Sequence, residues 1–375
     1  HQESPNLPLN LRIPGPTPVP EEVRAELSRD MINHRGPEYA SILAECTEGL
    51  KRVFQTENDI IFYPSSGSGT LESMVVNTLS PGDPVLSVSI GSFGKRFAEI
   101  ASRYGAAVTS LQFEWGEGAE PSVVADKLRA EGPFKAVLVT HNETSTGVTN
   151  DVKALADVIK PTGALMLVDA VSSLGAINLE TDKWDIDCVG TGSQKALMLP
   201  PGLGFVSVSK TAWEAHKEAK MPRFYWDWTN CMNYQRKGEN PYTPPVSLYY
   251  GLRKSLQMIE AQGLPSIFRK HEELAAYARG AMEEMGLKLF STPRWASSVV
   301  SAAYVPDGIS SKQIQKIMED KYDVVIAIGQ EHLQEKIIRI GHMGHVGKAD
   351  LAECMSCLRE TLVELGHHVP AQAVA

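Results

Sequence analysis

The chain has 375 residues, enough for two domains of ordinary size, and its 43% hydrophobic and 22% charged content is that of a soluble globular enzyme. With 36 basic against 45 acidic residues the net charge is −9, which argues against a nucleic-acid or anionic-membrane partner, since either favours a basic surface. No stretch approaches the apolar length that spans a bilayer. The opening His1-Gln2-Glu3-Ser4-Pro5 lacks the basic head and apolar core of a secretory signal, and His1 in place of an initiator methionine predicts a trimmed or engineered start. The closing Ala371-Gln372-Ala373-Val374-Ala375 is not a peroxisomal address. Five scattered cysteines (Cys46, Cys188, Cys231, Cys354, Cys357) predict a reducing, cytoplasmic compartment.

Along the chain, residues 1–20 are Pro-rich and aperiodic, which forbids helix and predicts an arm lying on another surface. From about residue 40, helices and strands alternate. Glu45 to Phe54 reads as helix and Asp59 to Tyr63 as a short strand. Leu71, Met74, Val75 and Leu79 recur at helical spacing, and Pro81-Gly82-Asp83 stops that helix. Val85 to Val88 is the next strand, with a helix through Ala101. Lys135–Thr140, Ala164–Asp169 and Gly204–Val208 are further strands. Short, continuously apolar strands separated by helices predict an α/β fold with a mostly parallel sheet covered on both faces.

Met221 to Pro245 is aromatic, Asn- and Pro-rich, and reads as a long irregular segment of the functional or interfacial kind. A helix from Val246 to Ala261 ends at Gly263. Beyond it the pattern predicts a smaller α+β unit: helix 265–285, strands near 298–304 and 336–340, helices near 311–320 and 348–365. The expected organisation is an arm over 1–20, a large domain over 21–262 and a small C-terminal domain over 263–375.

Three features carry chemistry. Ser65-Ser66-Gly67-Ser68-Gly69-Thr70 lies between a strand and a helix. Free amides, hydroxyls and unhindered backbone there make a phosphate cradle. It is neither a P-loop nor a dinucleotide fingerprint, and alone it also reads as a plain turn. Asp169 emerges from five apolar residues, so its carboxylate needs a buried partner, although a turn or cap aspartate is the ordinary alternative. Lys195 sits among small or uncharged neighbours from Gly190 to Leu199, a setting in which a lysine sheds its proton more easily than on a solvated surface. A lysine amine forms a Schiff base with an aldehyde, and an aspartate keeps a pyridine nitrogen protonated. The cofactor that needs both is pyridoxal phosphate.

With these residues in view, the chain resembles the class V aminotransferases of fold type I, and within them the alanine–glyoxylate and serine–glyoxylate aminotransferases. The matching stretches are Pro14-Gly15-Pro16-Thr17, His34-Arg35-Gly36-Pro37-Glu38, Ser66-Gly67-Ser68-Gly69-Thr70, Glu143-Thr144-Ser145-Thr146-Gly147, Val168-Asp169-Ala170-Val171-Ser172-Ser173, Gly192-Ser193-Gln194-Lys195-Ala196 and Arg339-Ile340-Gly341. They run in order over nearly the whole chain.

The resemblance implies a large sheet domain with a smaller C-terminal α+β domain, and pyridoxal phosphate as cofactor. It implies Lys195 as the covalent anchor and proton shuttle and Asp169 as partner of the ring nitrogen. Ser68, Gly69, Thr70 and Gln194 would hold the phosphate, Phe93 would stack on the ring where relatives carry Trp, and Ser145 would lie near the ring oxygen. Arg339 would grip the substrate carboxylate, with Gly15 and Arg35 at the substrate mouth. It further implies a homodimer in which Thr243 reaches into the partner's phosphate site; Asn240 stands where several relatives carry an aromatic, and Tyr242 flanks the Thr.

The implied reaction is a ping-pong transfer from alanine or serine to glyoxylate or pyruvate. A lyase of the cysteine desulfurase kind, and a cofactor-bearing binding subunit of a larger complex, are the alternatives. Cys354 and Cys357 have metal-like spacing but no second pair, so no metal site is expected and packing is the reading. His342 and His345 are candidates for the substrate mouth.

Overall fold

The apolar runs at 136–139 and 165–168, with the mostly apolar 85–88, become the buried centre of one sheet, and this sheet positions everything that follows. The structure, a computed structural model, describes residues 9–370; the readings of 1–5 and 371–375, and the start of the arm, lie outside the described residues.

The described chain opens with strand β1 (Asn10–Arg12), helix α1 (Glu21–Leu27) and the long helix α2 (Pro37–Phe54). There follow β2 (Asp59–Tyr63), α3 (Gly67–Thr78), β3 (Pro84–Ser89), α4 (Ser92–Arg103), β4 (Ala107–Gln112), α5 (Pro121–Glu131) and β5 (Ala136–Thr140). A small hairpin, β6 (Asn142–Glu143) and β7 (Val148–Thr149), leads into α6 (Val152–Ile159). Next come β8 (Leu165–Asp169), β9 (Cys188–Gly192), β10 (Gly204–Val208), α7 (Lys210–Glu218), α8 (Trp228–Gln235) and α9 (Val246–Gln262). The remainder comprises α10 (Leu264–Glu284), β11 (Val300–Tyr304), α11 (Ser311–Tyr322), β12 (Val324–Ile328), β13 (Ile337–Gly341) and α12 (Lys348–Glu364).

The main sheet has seven strands in the order β2-β10-β9-β8-β5-β3-β4, and only β10 runs against the others. Successive side chains alternate between its faces, as the strand period requires. Val137, Val139, Met166 and Val168 join the cluster with α2, α6 and α9, whereas Leu138, Leu165 and Leu167 join the cluster with α3, α4 and α7. Both faces are therefore dry, which is why these strands read as unbroken apolar runs. Each fully buried Val, Leu or Ile contributes about 1.5–3 kcal/mol relative to exposure. The parallel register sets Thr140, Asp169 and Gly190 side by side at the carboxyl ends, where open α/β sheets gather ligands.

The second sheet has the order β1-β12-β13-β11 and packs beneath α10, α11 and α12. Its edge departs from the sequence reading: Asn10–Arg12 pairs in parallel with residues 324–326, so the Pro-rich arm contributes a strand to this sheet. The β12 strand itself was not expected, and neither were β4 and β9. In the first helix the sequence suggested Glu45 as the start; α2 begins earlier, at Pro37, where a fixed φ and a missing N–H suit the first turn.

Residues 221–245 are also more ordered than expected. They contain α8, capped by the Asp227 side chain accepting from Asn230 N at 2.8 Å, and buried Trp228 anchors it despite poor helix formers around it. Gly263, at φ +79°, ends α9 and opens α10. Among the described residues no helix is long and apolar enough to cross a membrane.

Candidate active site

Lys195 follows β9 by three residues, so the sheet delivers its side chain to the carboxyl ends of β8 and β9. Its Nζ donates to Pro14 O, and Gly15 passes so close that a Cβ there would fall 2.4 Å from Nζ. Only glycine, with φ +136°, fits that approach. Burial lowers the lysine pKa to about 8, helped by the positive charge of Arg339 and opposed by Asp169. The residue as a whole keeps some exposure because it lines a cavity, while the amine itself is enclosed by protein.

Asp169 ends β8 and is 4% exposed. Its Oδ1 accepts from Val171 N at 2.9 Å. Burial pushes its pKa up to about 7; the Val171 N–H and the charges of Lys195 and Arg96 pull the other way, and the Glu143 carboxylate adds to the rise. With no other hydrogen-bond donor on it among the described residues, this carboxylate is built to receive a cationic partner.

Glu143 was not singled out in the sequence, yet it organises one wall. It is fully buried on the β6–β7 hairpin, and its Oε2 accepts from Phe93 N at 3.0 Å and Gly94 N at 3.1 Å, the opening amides of α4. Its Oε1 accepts from Ser145 N at 3.1 Å and Ser145 Oγ at 2.6 Å. Burial raises the Glu143 pKa, and these bonds oppose the rise. The Ser145 Oγ in turn accepts from Ser92 N at 3.1 Å. On the same hairpin, Thr144 O accepts from Arg339 Nη1 at 2.7 Å, and Arg339 Nε donates to Ile328 O at 2.9 Å. The guanidinium is thereby fixed, with Nη2 and one Nη1 hydrogen left over for a ligand. Arg339 is 6% exposed, and burial lowers its pKa to about 10.

A cavity of about 270 Å³, near the lower end of the small-ligand range, opens beside Asp169 and Lys195; Arg339, Ser145 and Gly15 stand behind its wall, Arg339 through its bond to the lining residue Thr144. Ser68, Phe93, Asp169, Gln194 and Lys195 line it, as the sequence suggested, joined by Arg96, Asn142, Thr144 and Val171. Larger surface clefts exist, one of about 610 Å³ between α10 and α12, but its wall holds no buried titratable side chain.

The residues fit pyridoxal phosphate. Gln194 lines the cavity beside the cradle, and among the described residues no acceptor takes its Nε2, which is left to donate to a phosphate. A Cβ at Gly67 would fall 2.5 Å from Val171, so the backbone must stay bare where the cradle opens. Phe93 and Val171 supply apolar surface for a ring, Asp169 an anion and Lys195 an amine.

Other expected residues stand differently. Thr70 is buried beneath the cradle and spends its hydroxyl on Gly67 O at 2.7 Å, so its side chain does not face the cavity. A Cβ at Gly69 would meet Trp226 at 2.6 Å, which ties the cradle to the 221–245 segment. Arg35 is exposed, paired with Glu239 and set outside the cavity wall of this chain, because the loop between α1 and α2 turns it toward Tyr234 of α8. Thr243 is also exposed and outside that wall. Asn240 is buried, bonding Tyr39 and, at 3.3 Å, Tyr249, so it is internal structure. His342 is no mouth residue: it is fully buried in the second sheet, with Nε2 2.9 Å from Ser301 Oγ, and burial holds its pKa down to about 3. His345 is exposed. Cys354 is buried in the inner face of α12, and no cysteine lines the cavity.

Comparison with known proteins identifies the family. The family profile of the class V aminotransferases matches residues 19–348. The chain is 43% identical over 362 residues to the soluble hydrogenase 42 kDa subunit of Anabaena cylindrica, covering 96% of this chain and 94% of that one. It is 36% identical over 378 residues to the serine–glyoxylate aminotransferase of Methylorubrum extorquens, covering 98% and 94%. The crystal structure of the alanine–glyoxylate aminotransferase from Nostoc sp. superposes with a TM-score of 0.92 at 28% identity, covering 96% of this chain and 97% of that chain. The chain belongs to the class V aminotransferases, fold type I enzymes that work with pyridoxal phosphate.

Proposed function

We propose that this protein moves the amino group of a small amino acid, alanine or serine, to glyoxylate or pyruvate in a ping-pong sequence. The observation that carries the reading is the meeting of Lys195, Asp169 and Arg339 at one end of the main sheet: a depressed lysine, a buried carboxylate and a fixed guanidinium. When bound, pyridoxal phosphate supplies an aldehyde that condenses with amines and a ring that draws electrons from the substrate.

The chain's own groups do the rest. Lys195 Nζ, its pKa lowered to about 8, sheds its proton far more readily than an exposed lysine and takes the proton from the donor's Cα. Asp169 holds a proton on the ring nitrogen; a cation there favours its charged form and offsets the desolvation that raises its pKa. Arg339 orients the donor through the α-carboxylate with the hydrogens that Thr144 O and Ile328 O leave free. Ser68, Gly69 and Gln194 hold the phosphate, with Thr70 bracing the turn, and Phe93 sets the ring plane. The approach of Gly15 to Lys195 keeps the room small, and near Lys195 Arg339 is, among the described residues, the one arginine held by main-chain carbonyls, which favours a small donor.

The active unit is a homodimer in the cytoplasm. The exposed Phe224 and Tyr225, with the half-buried Tyr242 stacked on Tyr225 beside exposed Thr243, support a surface covered by a second copy, and five free thiols support the compartment. The small domain begins at Gly263, supported by the separate apolar cluster around α10 and α12.

The test is spectroscopic. Alanine or serine should bleach the absorption band of the cofactor-loaded protein, and glyoxylate or pyruvate should restore it. Sulfur release from cysteine without that exchange would point to a lyase. A band unmoved by every amino acid would favour a binding role, the reading suggested by the subunit name of the Anabaena relative.

A further inference from the structure

The cradle of Ser66, Ser68 and Gln194 offers hydrogen bonds but no charge. A phosphate monoester carries close to two negative charges at neutral pH. Holding them with neutral donors alone leaves a large desolvation cost unmet. Two cations line the same cavity, Lys195 and Arg96. Lys195 is engaged at the other end, bonded to Pro14 O and assigned to the substrate's Cα.

Arg96 has no such engagement. It lies one turn along α4 from Phe93, and its guanidinium carbon sits 4.8 Å from the Phe93 ring centroid. Its Nη1 is 3.4 Å from Ser68 Oγ, its one side-chain hydrogen bond among the described residues. The neighbouring bases of α4 are matched, Lys95 with Glu331 at 2.9 Å and Arg103 with Glu99 at 2.7 Å, whereas Arg96 has no carboxylate partner among the described residues. A planar guanidinium packed over an aromatic ring is restrained in orientation, so little freedom is lost when it binds an anion.

We propose that Arg96 is the phosphate-pairing cation of this site: its guanidinium, held over Phe93, closes the Ser68 cradle and neutralises the phosphate of the cofactor. The inference rests on the cofactor-site reading above and adds a charge that the cradle residues lack. It also assigns Arg96 to the phosphate and not to a second carboxylate of the donor.

The experiment compares dissociation constants for pyridoxal phosphate and for pyridoxal, measured by fluorescence on cofactor-resolved protein. Wild type, Arg96→Gln and Arg96→Lys are used. Arg96→Gln should weaken pyridoxal phosphate at least about tenfold while leaving pyridoxal within about twofold. Arg96→Lys should recover part of the loss. Inorganic phosphate should raise the Tm of resolved wild type more than that of Arg96→Gln, and added salt should narrow the difference.

Equal weakening of both ligands would overturn the proposal by placing the role on the ring through Phe93. Unchanged pyridoxal phosphate affinity, with or without a raised KM for a dicarboxylic donor, would overturn it too. A wild type that binds the two ligands equally well would overturn the cradle reading itself, and the Arg96 pairing with it.

Discussion

The floor of the site and its rim are built on opposite terms. On the floor, Asp169 and Lys195 are buried at the carboxyl ends of the main sheet and Glu143 and Arg339 on the β6–β7 hairpin and β13 beside it, and each of these ionisable groups takes a main-chain partner. At the rim, between 221 and 245, large apolar groups face solvent instead: Phe224 is 79% exposed, and Tyr225 and Tyr242 stack on each other at 4.6 Å. Desolvation shifts the floor groups toward reactive protonation states, and the backbone fixes their direction. The rim has no such enclosure within one chain. The contrast predicts that substitutions on the floor change chemistry whatever the protein concentration, whereas rim substitutions act through association.

The severest break on the floor is Lys195→Ala. It removes both the anchor and the base, so turnover with every donor should fall by about a thousandfold or more, and borohydride should no longer attach the cofactor to the chain. Label recovered on another lysine would undo the assignment. Next is Asp169→Asn, with an expected loss of about 10²–10³-fold, the scale of one preorganised electrostatic contact.

The same residue makes a sharper prediction for the cofactor-free chain. Its folded pKa is raised from 3.8 to about 7, so the folded state binds more protons than the unfolded state in that window. Stability should therefore fall as pH rises from about 4 to about 7, by a few kcal/mol at most. Lys195 acts in the other window: lowered from 10.5 to about 8, it makes stability rise between those values. Urea melts across pH should show the first slope flattened in Asp169→Asn and the second in Lys195→Ala.

Much of the floor was legible because burial leaves a trace in sequence. An Asp after five apolar residues and a Lys among Gly, Ser and Ala were identifiable without coordinates, as was the mostly parallel sheet. What escaped has physical reasons. Strand β9 carries two glycines in five residues and so lacks an apolar run. The pairing of Asn10–Arg12 with residues 324–326 is set by contacts far apart in sequence, and no local pattern encodes it. Thr70 and Arg35 were given to the site by their motifs, but one hydroxyl is turned to Gly67 O and one guanidinium to Glu239. Glu143 lies in the stretch Glu143-Thr144-Ser145-Thr146-Gly147, yet a sequence does not say which way a carboxylate points.

Glu143→Gln probes that residue with an effect between those of Lys195 and Asp169 on the floor and those of the rim. The side chain keeps its shape but turns an acceptor for four donors into a group with one acceptor end. At least one N–H or O–H loses its partner, which costs about 1–3 kcal/mol of stability. Because Phe93 N and Gly94 N open α4, the ring-stacking residue should also loosen. Denaturant melts should report the first effect, and weaker pyridoxal phosphate binding with altered cofactor circular dichroism the second. A variant that loses stability while its cofactor signals stay unchanged would reduce Glu143 to a structural brace.

The smallest effect belongs to the rim. Thr243 has no contact with the cavity of its own chain, so its removal leaves every floor group in place. In a homodimer its hydroxyl adds one hydrogen bond to the other copy's phosphate, worth about 0.5–1.5 kcal/mol. Thr243→Ala should therefore raise the dissociation constant of pyridoxal phosphate by about two- to tenfold and leave kcat at saturating cofactor nearly unchanged. The separating variable is protein concentration. In wild type, cofactor affinity should fall on dilution below the dimer dissociation constant, because the donor on the second copy is lost with it. In Thr243→Ala that dilution effect should shrink, since there is less left to lose. A dilution dependence of equal size in both proteins would show that association acts on the site through some other rim group, with Tyr242 the next to substitute.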